Sequence, residues 1–107
     1  QFYHDGELEL PFIVEKMSHA PADLFEIDDR GYVEEGFYAD LVELDMNEEW
    51  TVSKDNLFYK CGWSPLEGER LKGRVKTTWV NGHPVYQHGK FDESHRGMRL
   101  SFKKRLQ

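Results

Sequence analysis

The sequence predicts an α+β chain, with a helical N-terminal stretch followed by mainly antiparallel strands. Three observations predict it. Leu10, Ile13, Val14 and Met17 recur at the spacing of one helical face. Turn-forming residues become dense from Asp28 onward. Asn81-Gly82 stands between two apolar runs, which is the residue pair that a two-residue hairpin turn demands.

The elements follow in order. Pro11 suits the first turn of the first helix, where a missing N–H costs nothing. His19-Ala20-Pro21 is expected to interrupt that helix, and Pro21 to begin a second short one over residues 21–26. Asp23 lies near the positive end of this second helix. Asp28-Asp29-Arg30-Gly31 reads as a turn, Val33 as a short strand residue and Gly36 as another turn. Residues 39–46 read as a strand with Asp40, Val42 and Leu44 on one face, and Trp50-Thr51-Val52 as further strand. Ser53 is placed to cap a short turn. The Asn81-Gly82 turn then sets a register in which Val80 opposes His83 and Trp79 opposes Pro84. The same register sets Thr77 against Tyr86 and Val75 against His88. It puts Val75, Trp79, Pro84 and Tyr86 on one apolar face.

Composition narrows the function. A chain of 107 residues is one domain's worth, or a piece of one. No apolar run approaches the ~20 residues of a membrane span, so no membrane role is expected. The opening Gln1-Phe2-Tyr3-His4-Asp5 is polar and unlike a leader peptide. Because it starts on Gln1 rather than Met, the chain reads as beginning inside something longer. The net charge is −6, but residues 1–53 hold 15 acidic and 2 basic residues while residues 54–107 hold 5 and 12. A net acidic chain is a poor nucleic-acid binder, so no nucleic acid is expected. The two halves should instead attract one another, or meet a partner. The basic tail from Arg99 reads as a solvated end. Cys61 is the only cysteine, which suits a reducing, cytoplasmic setting and a buried or half-buried structural thiol.

Motif chemistry is sparse. His4, His19, His83, His88 and His95 form no H-x-H, no H-E-x-x-H and no zinc spacing with Cys61. Asp28-Asp29 and Glu34-Glu35 miss the calcium-loop spacing. Trp63 is expected to pack its turn-rich loop down. Asp40 lacks the second titratable group that acid–base work needs. Its carboxylate is expected to satisfy backbone N–H groups of the Gly36 turn, because a carboxylate beside a core must be hydrogen-bonded. No catalytic, cofactor-binding or metal-ligating residue is assigned in this chain.

Two blocks carry a family resemblance. "HAPADLFEIDDRGYVEEGFYADLVELD" resembles the end of an amidohydrolase-superfamily catalytic domain, through Pro21, Ala22, Gly31, Val33, Gly36, Ala39, Asp40 and Leu41. "LFYKCGWSPLEG" and "VNGHPVYQHGKF" narrow the resemblance to the C-terminal end of a dihydroorotase of the cyclic amidohydrolase group. One departure is Ala20, which stands where the family usually has Asn and so removes an N-cap side chain.

The resemblance implies a fold and a parent. Residues 1–28 would be the terminal helices on the side of a (β/α)₈ barrel, and residues 29–107 the C-terminal segment of a β-sandwich. The parent would be a zinc enzyme that interconverts dihydroorotate and N-carbamoyl-aspartate in pyrimidine biosynthesis. Its ligands (an H-x-H, a carboxylated Lys, two later His and an Asp) would all precede Gln1. This chain alone is therefore expected to bind no zinc and to be inactive. Its partner would be the rest of the parent chain or another copy, covering a sheet edge or an apolar helix face. Two alternatives stay open: the same segment of an allantoinase or hydantoinase, and a non-catalytic amidohydrolase-like assembly module.

Overall fold

The computed structural model describes residues 3–58 and 60–103. Helix α1 (Leu10–Val14) and helix α2 (Ala20–Leu24) are joined by a π-helical turn, Glu15–His19, and run on as one helix. The expected interruption at His19-Ala20-Pro21 does not occur. Pro21 offers no N–H and its ring crowds the carbonyl one turn back. The wider π turn before it, closed by the Ala20 N–H on the Glu15 carbonyl, lets the helix carry on. Pro11 lies in the first turn as expected.

The helix ends in a Schellman motif. The Ile27 N–H donates to the Ala22 carbonyl at 3.0 Å and the Glu26 N–H to the Asp23 carbonyl at 3.3 Å. Glu26 holds the left-handed position at φ 54°, where glycine is usual. Gly31, at φ 89°, then passes so close to the helix that a Cβ on it would lie 2.4 Å from the Ala22 Cβ. Val33 is not a strand residue. It sits in the loop before the sheet and is 87% exposed.

Four strands form one antiparallel sheet in the order β1 (Leu41–Thr51), β2 (Arg70–Val80), β3 (His83–Gln87) and β4 (Lys90–Phe91). Val52 does not extend β1 as a ladder residue. Even so, its N–H bonds the Glu69 carbonyl and its carbonyl accepts from Gly68, so it is buried at the strand's end. The turn over Lys54–Asn56 is capped from inside: Asn56 Oδ1 accepts from the Ser53 N–H at 2.9 Å.

The hairpin register holds near its turn. Val80 pairs His83 and Trp79 pairs Pro84, and Asn81 and Gly82 have φ 50° and 82°. Beyond that point it shifts by one residue, so Tyr86 faces Thr78 and Gln87 faces Thr77. The shift is a bulge at Val85. His88 lies past the end of β3, although its N–H still donates to the Lys76 carbonyl at 3.1 Å. With Gly89 it forms a second tight turn, at φ 50° and 82°, that leads into β4. A further bulge, at Lys76, separates the Glu43–Thr77 and Leu44–Val75 pairs. The shared face expected for Val75, Trp79, Pro84 and Tyr86 therefore splits.

The charge asymmetry acts across β1 and β2. Glu49 meets Arg70 at 2.5 Å, and Glu48 meets Lys76 at 2.5 Å and Arg74 at 3.5 Å. The basic tail is not wholly solvated: Phe102 bridges Ile27, flanked by bonds from Asp28 N–H to Ser101 and from Lys103 N–H to Glu26. The last residues of that tail lie outside those described.

Little of this is buried. Among the described residues only Ala22, Val52 and Thr77 are buried, and no helical piece packs on any strand. The accessible surface is 8924 Å², against about 6,200 Å² for a self-contained monomer of this mass. The radius of gyration is 16.5 Å, against about 13 Å for a compact domain of this length.

Candidate functional site

Asp40 stands immediately before β1, and its carboxylate is fully engaged. Oδ1 accepts from the Asn81 N–H at 2.7 Å, and Oδ2 forms an ion pair with Arg30. Arg30 Nη1 also donates to Asn81 Oδ1 at 3.1 Å, and its guanidinium lies 4.2 Å from the Tyr38 ring centre. The neighbouring Ala39 carbonyl accepts from the Gly82 N–H at 3.0 Å. Asp40 thus ties a turn, but the turn is Asn81-Gly82 and not the one at Gly36. The reason is geometric: antiparallel pairing of β1 with β2 brings the head of β1 beside the β2–β3 turn. Arg30 was not singled out by the sequence, where it reads as part of a solvated turn.

A groove of about 700 Å³ crosses one face of the sheet. Trp50, Val75, Val80, Tyr86 and Phe91 line it, with Phe58 set edge-on to Phe91 at 4.9 Å. The two bulges build this surface by bringing Val75, Thr78, Val80 and Tyr86 to one side. Trp79 and Pro84 are not among its lining residues. Arg74, Asp92 and His95 form the polar rim. Trp50 is fixed by its indole N–H, which donates to the Gly73 carbonyl at 2.9 Å.

Several titratable groups near these surfaces are engaged with one another, although His95 Nε2 is buried without a hydrogen-bond partner. Asp92 is held well below the usual carboxylate range, chiefly by the Ser94 hydroxyl and then by His83 and the Ser94 N–H. His83 Nε2 lies 2.7 Å from Asp92 Oδ2 and its ring stacks on His95 at 4.6 Å. His88 takes no part, so His83 and His88 do not converge. On the helix side, the Tyr32 hydroxyl donates to Asp23 at 2.7 Å, which with desolvation pushes it up to about 12. Tyr32 also stacks on His19. A phenol so held donates a hydrogen bond and does not serve as a base near neutrality.

No three or more His, Cys, Asp or Glu among the described residues converge as metal ligands. The donor set of a zinc site is thus not assembled by these residues. Two expectations about the loop after the 3₁₀ turn are corrected. Cys61 is exposed, its thiol reaching only the Trp63 carbonyl at 3.5 Å. Trp63 is 59% exposed and does not pack its loop down. Phe58 turns to Tyr86 and Phe91 instead, and Leu66 is itself exposed, so neither shields these two side chains. No helix among the described residues is long and apolar enough to cross a membrane.

No protein-family profile matches the chain. A dihydroorotase of Pyrococcus furiosus is 41% identical over 95 residues, which is 89% of this chain and 23% of that protein. An allantoinase of Desulfitobacterium hafniense is 34% identical over 88 residues, covering 82% of this chain and 20% of that protein. Among solved structures, a D-hydantoinase superposes with a TM-score of 0.75 at 26% identity, over 85% of this chain and 20% of that one. The chain therefore spans about a fifth of the length of the relatives it matches. The chain belongs to the amidohydrolase superfamily as a dihydroorotase-like segment of a cyclic amidohydrolase.

Proposed function

We propose that this chain is the C-terminal, non-catalytic segment of a cytoplasmic, metal-dependent dihydroorotase. The parent would interconvert dihydroorotate and N-carbamoyl-aspartate in pyrimidine biosynthesis, with zinc held by residues upstream of Gln1. Residues 1–28 would lie against the side of a (β/α)₈ barrel, and residues 29–107 would complete a β-sandwich. The observation that carries this reading is the surplus of accessible surface. About 2,700 Å² more is exposed than a self-contained monomer of this mass shows. Much of the apolar part lies on the helix, at Phe12, Met17, Leu24 and Phe25, and in the sheet groove. Faces of that kind are covered in a working protein. The role of the segment is then to be packed upon: it supports a catalytic centre rather than supplying one.

The dihydroorotase assignment rests on the higher identity to dihydroorotase than to allantoinase. The allantoinase and hydantoinase likenesses favour a second reading, the same segment of a sister enzyme. Steady-state assays of the full-length parent on dihydroorotate, allantoin and hydantoin separate them. Turnover of dihydroorotate is expected, and turnover of allantoin alone would replace the assignment. The chain by itself is expected to turn over none of the three, even with zinc supplied. Stoichiometric zinc on the isolated chain, or hydrolysis by it, would overturn the non-catalytic role.

A further inference from the structure

We draw no further inference here: the strongest candidate, the apolar groove across the four-stranded sheet lined by Trp50, Val75, Val80, Tyr86 and Phe91, carries nothing beyond the role already proposed, because nothing in the structure shows what covers it.

Discussion

The tip of the β2–β3 hairpin and the helix over residues 10–24 meet their needs in different ways. At the tip, Asn81 and Gly82 find their partners in Ala39, Asp40 and Arg30, all within this chain. The helix likewise closes its C-terminal end with its own Schellman bonds. Its apolar side chains are another matter: Met17 is 75% and Leu24 70% exposed. Most polar groups at these two places have thus been paired within the chain, Arg30 Nε and Asn81 Nδ2 excepted, while apolar groups have not been buried. A hydrogen bond needs one partner at one distance, whereas burial of a side chain needs neighbours on many sides. An excised or isolated segment can keep the first and lose the second.

The largest effect should come where loop and helix touch. Gly31→Ala puts a Cβ 2.4 Å from the Ala22 Cβ and keeps an unfavourable φ of 89°. It should cost about 2–4 kcal/mol in denaturant unfolding, as overpacking and backbone strain combine. Gly36→Ala has the same φ but open space around it, and should cost about 1 kcal/mol. Equal losses would show that the loop is not docked on the helix.

Next comes the clasp at the hairpin tip. Arg30→Ala or Asp40→Ala should each cost about 1.5–3 kcal/mol, the range for hydrogen bonds to charged groups. The double variant should cost less than the sum of the two, because both remove one interaction. If Asp40→Ala left stability intact but abolished the parent's turnover, the carboxylate would be catalytic and the clasp incidental.

How much of this was legible in the sequence follows from range. Asn81-Gly82 announced its turn because both residues act through their own backbone preferences. His88-Gly89 makes the same kind of turn with a weaker signal, since histidine enters the left-handed region less readily than asparagine. The bulges at Lys76 and Val85 left no mark, because a bulge is a relation between strands. Arg30 was missed for a similar reason: its partner Asn81 is 51 residues away. Residue type alone points to a buried or half-buried Cys61 and a Trp63 that packs its loop down, but burial depends on what else arrives. The helix pattern was right in period, yet the pause expected at Pro21 ignored the option of a wider turn.

Acid and alkali should probe the sheet side with smaller effects. Lys76 holds the Glu48 carboxyl below its ordinary value of 4.5. That contribution is complete above 4.5 and is lost as pH falls through the lowered folded value. Glu48 in turn raises Lys76 above 10.5, a contribution complete below that pH and lost as pH rises through the raised folded value. Asp92, lowered from 3.8, follows the acid rule. The unfolding midpoint should therefore be flat between these limits and fall on both sides. Lys76→Gln should blunt both flanks, and Asp92→Asn the acid flank only. A midpoint that rises on acidification would contradict the pairings.

The smallest effect in the isolated chain is expected on the helix. Met17→Glu should change its stability by no more than about 0.5 kcal/mol, as for an ordinary surface position. In the full-length parent the same change should be severe, because the face would then be buried. Comparing the two backgrounds by thermal unfolding sharpens the contrast between helix and hairpin. An equal, small effect in both would mean that the helix faces water in the parent as well.

The outer rim of β1 has a practical consequence for anyone handling the chain alone. Eight of its eleven residues (Leu41–Thr51) pair with β2, and among the described residues no strand pairs on its other side, which leaves backbone donors and acceptors that invite strand addition and fibrillation. Glu43 and Asp45 lie along this strand, beside Glu48 and Glu49 that are already paired with β2, and act as gatekeepers, since two such rims brought together would repel. That protection rests on two side chains. The isolated chain should stay dispersed, and Glu43→Gln combined with Asp45→Asn should let it self-assemble, with thioflavin fluorescence and turbidity rising together.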